Sequence, residues 1–277
     1  MDLNAMNLEA VRADQTGAVL HITLNRPEAR NAMSLQMVAE LRQLLAAAEG
    51  RAGHADAVRV VVLRGAGGHF CAGADLKDMA AARMRSMQTD GSGPDPIAEV
   101  NAAFGQLCVA YACSPLAVVA VLEGTVMGGG FGLGCVADVA IASTTVNFRL
   151  PETSLGVVPA QVAPFLVERL GYSQAKRLAV TGGRLDAAAA LRIGLVHTVV
   201  DAAGVQDELN RVLGEILGCA PQALAATKAL MATARWQAPQ HLVADAAAIF
   251  SRAAQGPEGL EGMTAFIQKR KPHWALP

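Results

Sequence analysis

Residues 117–156, AVVAVLEGTVMGGGFGLGCVADVAIASTTVNFRLPETSLG, constrain the chain more than any other stretch. Ala117 to Leu122 is a short, wholly apolar, valine-rich run with the length and β-branching of a buried strand. A turn leads into Gly128-Gly129-Gly130, and Phe131, Leu133, Cys135 and Val136 behind it supply apolar positions for a buried helix. A strand that enters a helix through three glycines leaves backbone N–H groups with no side chain in front of them. Together with the positive end of the helix dipole, such groups favour an anion or a developing negative charge. Gly124, Gly128 and Gly132 also recur every four residues, which suits close packing of one helix face on a neighbour. The glycines alone leave both readings open. No phosphate-loop G-x-x-x-x-G-K-[ST] and no G-x-G-x-x-G is present. Further on, Leu150-Pro151-Glu152 places a proline where a helix can begin and a carboxylate in its first turn.

The remaining composition bounds the function. A chain of 277 residues, 52% hydrophobic, can bury a sizeable core in one large domain or a domain with an appended subdomain. Its formal charge of −1 argues against a nucleic-acid partner, which needs a clustered basic excess. Five scattered cysteines suit reduced thiols better than a disulfide framework, and Cys71 is expected to pack rather than react. The first residues lack a basic start and a continuous apolar run, so no secretory signal is expected. The uncharged stretch after Glu123 is too short and glycine-rich for a membrane span. A soluble, cytoplasmic protein without a membrane partner is the expectation. The six histidines show no paired metal spacing and no G-x-S-x-G elbow occurs, so neither a metal site nor a serine nucleophile is expected.

Taken in order, Ala18 to Leu24 alternates as a half-buried strand does, and Asn25-Arg26-Pro27 signals a turn. Ser34 precedes a helix with Met37, Val38, Leu41, Leu44 and Leu45 on one face. Val58 to Leu63 reads as a strand, Gly65 to Gly73 as a loop, and Asp75 as a carboxylate near a helix start. Residues 85–96, with Gly91, Gly93, Pro94 and Pro96, read as a mobile connection. A helix is expected from Ile97 to Cys113, then helices over Gln161–Leu170, Ser173–Val180 and Ala187–Arg192, and a strand from Val196 to Val200. Strand–helix alternation points to α/β layering.

Four blocks carry a family resemblance: L-N-R-P-E-A-R-N-A-M, H-F-C-A-G-A-D-L, G-G-G-F-G-L-G-C-V-A-D-V-A-I-A and P-E-T-S-L-G-V-V-P. In this order, and continuing to F-I-Q-K-R-K, they resemble the enoyl-CoA hydratase/isomerase (crotonase) superfamily over roughly residues 10–272, with a divergent loop at about 80–95. The resemblance implies a spiral of repeated β-β-α units over residues 1–200 and a C-terminal helical region over 201–277 that covers the site and builds trimers, or hexamers as dimers of trimers. It implies no cofactor, because coenzyme A belongs to the substrate.

Residue by residue, the resemblance assigns two oxyanion donors, the N–H groups of Ala74 and Gly129, which would stabilise an enolate-like thioester oxygen. Glu152 matches the second of the two catalytic glutamates of the hydratases and would move protons at the acyl chain. Burial would raise its pKa, whereas a helix start would lower it. Ala72, Asp75, Leu76 and Gly128 accompany these donors around the substrate. Arg26, Ala29 and Arg30 match the loop that meets the nucleotide end of coenzyme A, and Lys269 or Arg270 is placed to reach phosphate. Gly132 departs from the pattern, because two-glutamate hydratases carry their first glutamate there. The departure, with V-P-A-Q-V-A-P-F-L-V, resembles hydratases of methylglutaconyl- or isohexenylglutaconyl-type thioesters, with Gln161 or Arg149 meeting a distal carboxylate. An enoyl-CoA isomerase, which needs one base, is the alternative enzyme. A crotonase-fold acyl-CoA-binding or scaffold protein is the non-enzymatic one.

Overall fold

The computed structural model describes residues 3–54, 56–88 and 93–275. In chain order the elements are β1 (Val11–Thr16), β2 (Val19–Leu24), α1 (Leu35–Glu49), β3 (Val60–Gly65), α2 (Leu76–Gln88) and α3 (Pro96–Cys113). Then follow β4 (Ala117–Leu122), β5 (Thr125–Met127), α4 (Gly129–Val136), β6 (Val139–Ser143), β7 (Asn147–Arg149) and α5 (Ala163–Thr181). The chain continues through β8 (Arg184–Asp186), α6 (Ala187–Arg192), β9 (Thr198–Val200), α7 (Val205–Leu217), α8 (Pro221–Ala234), α9 (Pro239–Gln255) and α10 (Pro257–Ile267).

One sheet runs β1-β2-β3-β4-β6-β9, antiparallel between β1 and β2 and parallel thereafter. Its centre, β4, is buried at every position, and its side chains divide by alternation. Val118, Ala120 and Leu122 join the larger core with α1, α4 and α5. Ala117, Val119 and Val121 join a second core under α7, whose Val205, Leu209, Val212, Leu213 and Leu217 recur on one helical face. So α7, the first helix after residue 201, covers the second face of the main sheet. Helices α8 to α10 are far more exposed.

Local chemistry explains the element ends. Ser34 caps α1, its Oγ accepting from Met37 N–H at 3.2 Å. Buried Glu40 on α1 accepts from the N–H groups of Glu9 and Ala10, both at 2.9 Å, and Val11 at 3.0 Å, which anchors the start of β1. The helices read as 161–170 and 173–180 form one element, α5, interrupted at Gly171, whose φ of 71° is non-helical. The connection read over 85–96 is shorter: α2 continues to Gln88 and α3 begins at Pro96. Residues 89–92, Gly91 among them, lie outside the described residues.

A second sheet, β5-β7-β8, positions the site. Its parallel pairing of Met127 with Arg149 holds the entrance of α4 beside the turn that begins at Pro151. These three-residue strands are too short to show a period of two in the sequence.

Candidate active site

The segment 71–75 runs between two partners. On one side Cys71 N–H donates to Thr125 O at 3.0 Å and Met127 N–H to Cys71 O at 2.9 Å. On the other, Met33 N–H donates to Gly73 O at 2.7 Å and Asp75 N–H to Met33 O at 3.0 Å. In a trans peptide the C=O and the following N–H point in opposite directions, and no described peptide is cis. With Gly73 O turned to Met33, Ala74 N–H points away from it. The same geometry holds at the helix entrance. Gly128 O accepts from Gly132 N–H at 3.1 Å, so Gly129 N–H projects out of the N-terminal end of α4. The two peptides are neighbours, for Gly73 Cα lies 3.7 Å from the point where a Cβ would stand on Gly128. Gly128 itself has φ 49° and ψ −114°, which a side chain would oppose.

Glu152 packs against Gly128 at this junction. Its Oε1 lies 3.1 Å from the Cβ position of Gly128, and its Oε2 is buried without a hydrogen-bond partner. Burial raises the Glu152 pKa from its ordinary value, opposed only by the residue's own N–H. The competition between burial and helix dipole is thus won by burial. The helix it begins is a 3-10 turn of 4 residues, Glu152–Leu155, too short for a large dipole.

Opposite, the glycine face of α4 is covered. A Cβ on Gly132 would stand 3.2 Å from Phe104 Cζ and 3.2 Å from Val162 Cγ2. On Gly129 it would stand 3.4 Å from the same ring. The volume that a glutamate would need at 132 is therefore filled by apolar groups of α3 and the 159–162 segment. Gln161, nominated to meet a distal carboxylate, is instead engaged with α3. Its Nε2 donates to Asn101 Oδ1 at 2.9 Å, and its side chain fills the notch left by Gly105 on α3.

Residues 14–276 match the enoyl-CoA hydratase/isomerase family. The chain belongs to that family. Its fold is that of an enoyl-CoA hydratase/isomerase from Marinobacter aquaeolei, with TM-score 0.90 and 50% identity, covering 96% of this chain and 99% of that one. A mevalonyl-coenzyme A hydratase of Beauveria bassiana is 31% identical over 261 residues, 92% of this chain and 91% of its own. A carnitinyl-CoA dehydratase of Proteus mirabilis is 33% identical over 265 residues, 93% and 95% of the two chains. The protein is accordingly a crotonase-fold enzyme of the hydratase type.

In this crotonase, the 69–75 segment is cross-tied to the 26–33 loop by Asn31, which the sequence does not single out, and by Arg26, Arg30, Ala72 and Asp75, which it does. Asn31, fully buried with φ 56°, accepts from Arg26 N–H at 2.8 Å and donates to Ala66 O at 2.9 Å and His69 O at 2.7 Å. Ala72 N–H donates to Arg30 O at 3.0 Å. Asp75 pairs with Arg26 at 2.7 Å and accepts from Lys77 N–H at 2.8 Å. Burial alone would raise the Asp75 pKa, but the Lys77 N–H and Arg26 together hold it below its ordinary value. Arg26 also donates to Ala32 O at 2.6 Å, so it ties Asp75 to the 26–33 loop from within the protein. The only sequence signal for Asn31 is its place in the first block, L-N-R-P-E-A-R-N-A-M.

The other nominated residues are more dispersed. Ala29 closes a short 3-10 turn, and Arg30 follows it with φ 49°. Leu76 is 80% exposed at the start of α2, beside buried Asp75. Lys269 is exposed beyond α10, which packs on α9, and neighbouring Arg270 grips Glu261 at 2.6 and 2.7 Å. Arg149 has a buried Nε with no hydrogen-bond partner. Cys71 is fully buried, and burial pushes its thiol up to about 12, so it packs beneath Gly130 and is unreactive at neutral pH. Among the described residues no group of three or more His, Cys, Asp or Glu side chains is arranged to hold a metal, and no helix is long and apolar enough to cross a membrane.

Proposed function

We propose that the protein hydrates the 2,3 double bond of an enoyl-CoA thioester. The observation that supports this reading is the packing of Gly128, at the entrance of α4, against both Gly73 and the Glu152 carboxyl, whose Oε2 is buried without a partner. The thioester oxygen accepts from the N–H groups of Ala74 and Gly129, which are fixed before the reaction begins. Glu152, as carboxylate, takes a proton from water as the water oxygen attacks the β-carbon. The π electrons move toward the thioester carbonyl, giving the enolate. Protonated Glu152 then returns the proton to the α-carbon. A pKa raised by burial makes both halves of this cycle accessible to one group. No cofactor enters these steps beyond the coenzyme A of the substrate.

At finer resolution, we assign a branched or glutaconyl-type acyl chain. In support, Arg149 has an unpaired buried Nε three residues before Glu152, suited to a distal carboxylate. Assembly into trimers, or hexamers of two trimers, is supported by the apolar side chains that α8 to α10 and their connections expose, among them Met231, Trp236, Phe250 and Phe266. A second reading, isomerisation of a 3-enoyl to a 2-enoyl thioester, is favoured by the apolar wall at Gly132, since that reaction needs one base. A panel of enoyl-CoAs separates the two. Hydration removes the absorbance of the conjugated thioester, isomerisation creates it from a 3-enoyl substrate, and a scaffold protein changes neither.

A further inference from the structure

We infer that Phe104 is the specificity-determining residue of the acyl site, setting the largest substituent that the β-carbon can carry. The inference deepens the proposed function and rests on its acyl-CoA assignment. The ring of Phe104 covers the first turn of α4, 3.4 Å from the Cβ position of Gly129 and 3.2 Å from that of Gly132. Gly129 is the residue whose N–H faces the thioester oxygen. An acyl β-carbon is only three bonds from that oxygen, so a substituent on it extends into the neighbourhood of this turn. The ring is partly buried, packed on the core along one side and open along the other.

The wall is held in place. Gly105, the next residue on α3, lies under Gln161, whose Oε1 would clash with any Cβ there. The amide of Gln161 in turn donates to Asn101, one helical turn before Gly105. Val162, adjacent to Gln161, contributes the other contact at Gly132. Thus α3 and the 159–162 segment lock together through a glycine notch and an amide pair, which fixes the backbone from which Phe104 projects. Shape, rather than charge, then limits the acyl group on this side.

The test measures binding of two unreactive thioesters, butanoyl-CoA and 3-phenylpropanoyl-CoA, to wild type and to Phe104→Ala. The truncated side chain leaves space that the phenyl group of the second probe can refill. The affinity ratio of 3-phenylpropanoyl-CoA to butanoyl-CoA should rise by about tenfold or more, the scale on which apolar pockets discriminate size. Phe104→Leu should give a smaller rise and serves if the alanine variant does not fold. Val109→Ala, exposed on another face of α3, should leave the ratio unchanged. An unchanged ratio in a folded Phe104 variant overturns the inference while leaving the hydratase reading intact. Failure of wild type to bind either thioester overturns both. A shifted ratio with no hydration of any enoyl-CoA supports the inference and counts against the hydratase reading alone.

Discussion

Glu152 Oε1 and Gly128 are in near contact, 3.1 Å separating the carboxylate oxygen from the position of a Cβ on the glycine. The Glu152 carboxyl and the Gly128–Gly129 entrance of α4 are therefore packed as one unit. Gly128→Ala adds a methyl group against that oxygen at a left-handed φ of 49°. Turnover should fall by roughly 10²–10³-fold, as when an oxyanion donor is lost, with far-UV circular dichroism unchanged. Activity near that of wild type would show that the two elements do not act together.

The buried carboxyl of Glu152 also links activity to pH. Its pKa is raised by burial, so the carboxylate proposed to take a proton from water forms at higher pH than an ordinary glutamate. The rate should rise with pH through that raised value. Stability has the opposite sign. A carboxyl that binds its proton more tightly in the folded state stabilises the fold below its unfolded pKa, and this contribution is lost as pH rises through the folded pKa. Glu152→Gln should therefore resist urea better than wild type at pH 8, with the difference narrowing toward pH 5. A difference that widens toward acid would contradict burial as the cause of the shift.

At Gly132 the packing makes a specific demand. Gly132→Glu places its side chain into Phe104 and Val162, each 3.2 Å from the Cβ position. Overpacking of this kind costs about 1–3 kcal/mol, so the variant should melt earlier and should not gain crotonyl-CoA hydration. Adding Phe104→Ala should recover part of the lost stability. If Gly132→Glu alone is as stable as wild type, the wall is not where the structure puts it.

Asp75 gives a structural prediction. Its carboxylate accepts from Arg26 and from Lys77 N–H, ion-paired and mostly buried. Asp75→Ala should cost about 1.5–3 kcal/mol in chemical unfolding, the scale of hydrogen bonds to charged groups. It should also lower turnover by loosening the loop that carries Ala74. Loss of stability with unaltered turnover would separate Asp75 from the oxyanion loop.

The parts of this picture legible in the sequence are those with a local signal. Ala117–Leu122 is apolar and β-branched throughout, and it forms the central strand. Ser34 and the periodic leucines after it mark α1, and Ala187–Arg192 was delimited by its own composition. Strands β5, β7 and β8 have three residues each, and only the pairing among them makes them strands. In the site, Ala74, Gly129 and Glu152 are assigned only through the ordered blocks, because two of the three would act through backbone N–H groups that no side chain advertises. Phe104 and Asn31 were not legible. One lies on an ordinary helix and the other in a turn, and their roles come from contacts with residues 25 or more positions away in the chain.

The most direct measurement of the central claim is the turnover of Glu152→Gln against wild type on the enoyl-CoA that wild type hydrates best. The substitution keeps size and removes the proton carrier. The rate should fall by roughly 10²–10⁴-fold, the contribution of a positioned acid–base group, while the dissociation constant of butanoyl-CoA stays within a factor of about three, because the near-isosteric amide keeps the shape of the acyl site. Turnover near that of wild type, with binding intact, would show that Glu152 is not the group that moves the proton.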